Sequence, residues 1–250
     1  MSAEFVDPYV YTGTSVLRNK LGLLDPALLS ASEHRYVTLR QVQLERRPVV
    51  STFDLQHLRA IHRTLFQDLY EWAGELRTVN ISKNGDSFHH AAQMHSASEY
   101  TFGWLRESGL ATTEVLTNPE FVSRSAEFLA RLNYMHPFRE GNGRTQRAFL
   151  NDVASLKGRA FDWRSVTPEE NTAASKASHE SGTGEPFISL FTRIVRPAAG
   201  DNTGPARARR RSTAVMTAPL GAPKRTAERC GAPTTNGTWC RRRGACPFHQ

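Results

Sequence analysis

Large apolar residues nearly vanish after Pro197. Residues 198–228 are mostly Ala, Pro, Gly, Thr and Arg, with almost nothing to bury against the entropy of ordering them. The core of this 250-residue chain must therefore come from residues 1–197, a length that suits one medium domain. The expected organisation is a folded domain over 1–197, a disordered basic linker over 198–228, and a small cysteine-bearing knuckle over 229–250.

Charge divides at the same place. Residues 198–250 hold ten Lys/Arg against two Asp/Glu, which accounts for the whole formal net charge of +8. Residues 1–197 hold 22 of each sign, so the overall basicity says nothing about nucleic-acid binding by the front domain. The opening Met-Ser-Ala-Glu-Phe-Val-Asp lacks a signal-peptide pattern, and no stretch approaches the roughly 18 apolar residues of a membrane helix. The expectation is a soluble, cytoplasmic protein without membrane contact.

Within residues 1–197 the apolar period is mostly helical, so the fold class expected is all-α. Residues 1–50 read as an irregular segment followed by one or two helices. Ser51 and Asp54 then form a plausible capping pair, and Leu55, Leu58, Leu65, Leu69 and Trp72 recur at helical spacing up to Gly74. From Leu76 to Phe88 the period changes: Val79 and Ile81 alternate with polar neighbours, and Asn84-Gly85 signals a tight turn. This predicts a small β-hairpin that must lean on the helices or on a ligand. Further helices are expected over Ser96–Ser108, from Asn118 as N-cap to the stop at His136-Pro137, from Gly143 to about Leu156, from Pro168 to near His179, and over Glu185–Arg196.

The chemistry concentrates in His136-Pro-Phe-Arg-Glu-Gly-Asn-Gly-Arg-Thr-Gln-Arg147. Gly141-Asn142-Gly143 lies between the end of one helix and the start of the next, where glycines let backbone N–H groups approach an anion and the following helix dipole favours phosphate. Arg144 and Arg147, three apart, suit the outer phosphates of a nucleotide. Glu140 is a hard oxygen ligand for a magnesium ion bridging phosphates. His136 can accept a proton near neutral pH. Each part alone is commonplace, since Gly-x-Gly is usually a turn and paired arginines usually a solvated face. Together they form the parts of a phosphoryl or nucleotidyl transfer site.

The run resembles the signature of the Fic (filamentation induced by cyclic AMP) family, His-x-Phe-x-(Asp/Glu)-Gly-Asn-Gly-Arg-x-x-Arg, and meets every fixed position. The likeness extends over about residues 8–196. Leu65-Phe-Gln-Asp-Leu-Tyr-Glu-Trp-Ala-Gly-Glu-Leu-Arg77 and the hairpin after it are similar to that family's helix and target-docking flap. Tyr11-Thr-Gly-Thr-Ser-Val-Leu-Arg-Asn-Lys-Leu21 is similar to toxin-like members without an inhibitory helix of their own. The resemblance implies a helical bundle with a β-hairpin flap, and a protein adenylyltransferase that moves AMP from ATP to a Tyr, Ser or Thr hydroxyl. In that reading His136 is the base, Phe138 anchors the loop, and Glu140 holds Mg²⁺. Gly141, Asn142 and Gly143 line the anion hole with the Asn142 side chain on a phosphate, Arg144 binds the β/γ-phosphates, and Arg147 binds the γ-phosphate. Ile81, Ser82, Lys83 and Phe88 would dock the target segment by strand addition. Related death-on-curing toxins carry lysine where Gly143 stands and resemble kinases, so glycine favours AMP transfer.

The same resemblance offers a test of regulation. Members are often silenced by a helix bearing Ser/Thr-x-x-x-Glu-Gly/Asn, whose glutamate pairs with the arginine matching Arg147. Here Glu170-Asn171 has Val166 four residues earlier, so no intramolecular match exists and a separate small antitoxin is the expected partner. In the tail, Cys230, Cys240, Cys246 and His249 suit a tetrahedral Zn²⁺ clip, with three free thiols as the alternative. Arg241-Arg242-Arg243 could contact nucleic acid or an acidic protein, or simply solubilise the tail. A nucleic-acid or protein-binding role through that tail, with an inactive front scaffold, is the alternative function; the intact His136, Glu140 and Arg147 argue against it. Removal of AMP from a modified protein uses the same residues but usually needs the missing inhibitory glutamate.

Overall fold

A computed structural model describes residues 7–83 and 86–198. The Asn84-Gly85 turn, the linker beyond Ala198 and the knuckle residues Cys230, Cys240, Cys246 and His249 lie outside the described residues. No helix among those described is long and apolar enough to cross a membrane.

Among the described residues, seven α-helices carry the fold. Helix α1 spans Pro26–Arg46, with Asp25 accepting the Ala27 and Leu28 N–H groups and Pro26 in the first turn. Helix α2 spans Leu55–Phe66; its cap is Asp54, which accepts from the His57 N–H, while Thr52 rather than Ser51 bonds the Asp54 carboxylate. It ends at Phe66, earlier than the spacing predicts. Leu69 and Tyr70 are buried in the turns that follow, so the apolar pattern outlasts the helix. Helix α3 is Met94–Glu107. Helix α4 is Asn118–Met135, capped by a reciprocal Thr117–Glu120 box, so Thr117 and not Asn118 is the N-cap. Helix α5 is Asn142–Leu156, α6 is Pro168–Ser181 and α7 is Glu185–Ile194.

Helix α5 packs between α2 and α4, while α3, α6 and α7 pack against α4. Leu58, Ile61, Leu65 and Phe66 of α2, Phe121, Phe128 and Leu132 of α4, and Phe149, Leu150 and Val153 of α5 are fully or almost fully buried. Each such side chain contributes about 1.5–3 kcal/mol of burial, so the three helices that flank the His136–Arg147 stretch are among the most firmly held parts of the chain.

Among the described residues, two small antiparallel sheets complete the fold. Strands β1 (Ser82–Lys83) and β2 (Asp86–Ser87) form the flap, pairing Ser82 with Ser87 and Lys83 with Asp86. Strands β3 (Arg159–Phe161) and β4 (Val195–Pro197) pair Arg159 with Pro197 and Phe161 with Val195. The second sheet corrects the expected last helix. Val195 and Arg196 leave the helical path because the strand after α5 offers them a ladder, a partner that local periodicity does not reveal.

The flap leans on one buried cation. Arg77 is 2% exposed. Its guanidinium donates to the carbonyls of Val79 (2.7 Å), His136 (2.8 Å), His89 and Met135, while its backbone N–H donates to Pro137 O. One side chain thus satisfies orphan carbonyls at the C-terminus of α4 and ties both limbs of the flap to them. Burial pulls Arg77 down to about 10, still charged at neutral pH.

Candidate active site

Helix α4 ends on His136, which adopts the left-handed conformation at φ 44, ψ 64. The proline that follows forbids continuing the helix, and the reversed backbone turns the imidazole toward a cavity of about 320 Å³. His136 Nδ1 lies 3.1 Å from Asn133 O. A carbonyl only accepts, so Nδ1 carries the hydrogen and Nε2 is the basic nitrogen of the neutral ring. The Phe88 ring of the flap stacks on the imidazole at 3.9 Å and 18°.

The loop from His136 to α5 is braced from the core side. Phe138 is fully buried and stacks on His62 of α2 at 3.9 Å. His62 Nδ1 accepts from the Gly74 N–H at 2.8 Å, so its Nε2–H donates to Glu140 O at 3.0 Å. Burial, with Arg144 adding to it, lowers His62 to about 4, so it stays neutral and keeps this tautomer. Gly141 has φ 79, and a Cβ there would meet the Phe66 ring at 2.2 Å, so only glycine fits. Asn142, 3% exposed, accepts from the Phe138 N–H at 2.9 Å and donates to Phe138 O at 2.7 Å. Its carboxamide thereby closes the loop, while the residue also lines the cavity.

The open side of the loop forms the cavity. Among the described residues no side chain caps α5, so its first N–H groups, around Asn142 to Arg144, form an open helix N-terminus. His136, Glu140, Asn142, Gly143 and Arg147 line the cavity with Ile81, Ser82 and Phe88 of the flap. Lys83 contributes its backbone to β1. The opposite wall is a face of α6, with Asn171, Thr172, Ser175, Lys176 and His179. Sequence reasoning missed this wall. Its only signal is a polar face repeating at helical spacing, which usually means solvent.

The two arginines part company. Arg147 lines the cavity and makes no hydrogen bond or ion pair among the described residues; burial and then Arg144 pull it below its ordinary value. Arg144 is not among the cavity-lining residues. It pairs with Glu33 of α1, lies 3.3 Å from Glu140 Oε1, and covers the Phe66 ring at 4.8 Å. Glu33, 111 residues away in sequence, thus holds one of the two cations that spacing places together.

Glu140 is 44% exposed and presents a carboxylate at the cavity. Among the described residues no group of three or more His, Cys, Asp or Glu could hold a metal ion. A single carboxylate beside an anion-binding helix terminus fits Mg²⁺, which binds by one or two carboxylates plus substrate phosphates.

Comparisons with known proteins agree with this geometry. The Fic/DOC family model matches residues 52–154. A Bartonella schoenbuchensis protein, "Protein adenylyltransferase VbhT", is 40% identical over 174 residues, covering 69% of this chain and 36% of that protein. The "Probable protein adenylyltransferase Fic" of Salmonella typhimurium is 36% identical over 163 residues, covering 65% of this chain and 80% of that protein. Among solved structures, the BepC protein of Bartonella tribocorum with bound AMPPNP superposes with a TM-score of 0.71 at 27% identity, covering 76% of this chain and 96% of that one. The chain belongs to the Fic/DOC family. It spans little more than a third of the Bartonella schoenbuchensis relative.

Proposed function

We propose that this protein is a protein adenylyltransferase that moves AMP from ATP to a hydroxyl side chain of a target protein. The observation that carries the reading is a base facing an anion site. His136, with its Nδ1–H donated to Asn133 O, shares a cavity with the N-terminus of α5, with Glu140 and with Arg147. The relatives named as adenylyltransferases, and the AMPPNP bound to BepC, support ATP as the nucleotide.

In this reading the target hydroxyl attacks the α-phosphorus, its proton passes to His136 Nε2, and the bond to the bridging oxygen breaks to release pyrophosphate. The N–H groups at the start of α5 and the Arg147 guanidinium stabilise the phosphate charge. Glu140 would hold Mg²⁺, which neutralises phosphate charge when bound. Gly143 favours the α-phosphate outcome: a Cβ there would approach only Arg147 Nη1, at 3.6 Å, so a lysine would set a second cation beside Arg147. Ile81, Ser82 and Phe88 would flank the target segment along the flap.

Regulation is read as external, by a separate small antitoxin. Arg147 lacks a carboxylate partner among the described residues, and the internal candidate Glu170 is already engaged. It completes the α6 capping box with Thr167 and pairs with Arg193 at 2.8 Å.

The test is transfer of label from ATP to lysate proteins. Label at the α-phosphate is expected to transfer and label at the γ-phosphate is not, with a fall of roughly 10²–10⁴-fold in His136→Ala. Transfer of the γ-label alone would make the protein a kinase. In the same assay, a full-length chain that stays inactive until its own N- or C-terminal helix is removed would sink the external-antitoxin reading.

A further inference from the structure

Helix α1 contributes no residue to the cavity lining, yet it reaches the site through Glu33. The Glu33 carboxylate is 14% exposed and accepts from Arg144 through one oxygen and from the Tyr70 hydroxyl through the other. Burial, with Glu33 beside it, pushes the Tyr70 phenol far up, so Tyr70 remains a donor and Glu33 remains the acceptor. Tyr70 itself is 1% exposed and stacks on Trp72 at 4.3 Å, so Glu33 is gripped by a rigid aromatic group.

The same Nη2 of Arg144 that meets Glu33 also stands 3.3 Å from Glu140 Oε1, an oxygen that already accepts the Gly141 N–H at 2.8 Å. Two carboxylates therefore compete for one guanidinium. The contact to Glu33 is the closer one, and Glu33 is the less exposed partner. An opposite charge drawn closer to Glu33 neutralises Glu140 less, which leaves Glu140 more of its own charge to offer a cation at the cavity. Without Glu33, Arg144 would have Glu140 as its only carboxylate partner among the described residues.

We infer that Glu33 and Tyr70 are positioning residues: they take the closer share of the Arg144 charge and leave Glu140 only the longer contact, so that Glu140 can bind the Mg²⁺ of the nucleotide. The inference rests on the assignment of Glu140 to Mg²⁺ and adds a controller on α1, which the family signature does not contain. Groups that orient a metal ligand from behind typically change metal affinity by about 10–100-fold when removed.

The test uses the full chain and binding, not turnover. AMPPNP affinity is measured calorimetrically across a Mg²⁺ series and in EDTA. In Glu33→Gln, the Mg²⁺ concentration giving half of the affinity gain is expected to rise about ten-fold, with affinity in EDTA unchanged. Tyr70→Phe, which removes one hydroxyl, is expected to move it the same way by less, and it carries the test should Glu33→Gln unfold. Arg144→Met added to Glu33→Gln should return the requirement to that of Arg144→Met alone. An unchanged Mg²⁺ requirement in folded Glu33→Gln, with the Mg²⁺ effect lost in Glu140→Gln, would overturn the inference and leave the Glu140 assignment standing. A Mg²⁺ effect that survives Glu140→Gln would remove that assignment, and the inference with it.

Discussion

The loop between α4 and α5 has a core side and a cavity side, and they differ in how their polar groups are matched. On the core side, Asn142 bonds both backbone groups of Phe138, His62 bonds Gly74 and Glu140 O, and Phe138 is sealed from water. On the cavity side, Arg147 has no partner among the described residues and α5 has no side-chain cap. A site that must grip a charged ligand cannot satisfy itself, so its unmatched groups need a frame whose own loop contacts are matched. The twelve-residue motif is thus two sets of residues, one that holds and one that reacts.

This division can be broken by substitutions aimed at one side. The largest effect is expected from Phe138→Ala, which removes a fully buried ring and should cost about 3–5 kcal/mol in denaturant unfolding. A cost near zero would mean that the aromatic stack on His62 does not hold the loop.

Next in size is a pH effect on the same side. His62 sits at about 4 in the fold, below its ordinary 6.5, so the unfolded chain takes up the proton first. Stability is therefore full above about 6.5, is lost as pH falls through that value, and levels off below about 4. The loss amounts to roughly 3 kcal/mol, read from unfolding midpoints between pH 7 and 4, and His62→Gln should flatten that part of the profile. An equally steep profile in His62→Gln would assign the acid sensitivity to another group.

The smallest stability change belongs to the cavity side. Arg147→Met removes a partly desolvated cation that has no partner, so stability should hold or rise by up to about 1 kcal/mol, while nucleotide affinity falls. A clear loss of stability would show that Arg147 belongs with the holding set.

How much of this was legible in the sequence follows the same division. That His136, Glu140 and Arg147 share one cavity was readable because their placement is local, packed into one helix end, one turn and one helix start. Helix existence was readable from periodicity, but ends were not. Asp54 caps α2, but Thr52 and not the expected Ser51 pairs with it, and Leu69 and Trp72 keep helical spacing in a turn that is simply buried or half-buried. What the sequence does not reveal is anything set by distant partners. Spacing puts Arg144 beside Arg147, but says nothing of the ion pair with Glu33. The β3–β4 pairing and the α6 wall were invisible for the same reason.

His136 ends its helix at φ 44, a conformation that glycine adopts freely and that costs other residues about 1 kcal/mol. A chain relieved of transferring anything would gain robustness by exchanging His136 for glycine, the commonest way to finish such a helix. Degenerate copies of this protein should lose their base early by that route, since the exchange that ends the chemistry is also one the backbone welcomes.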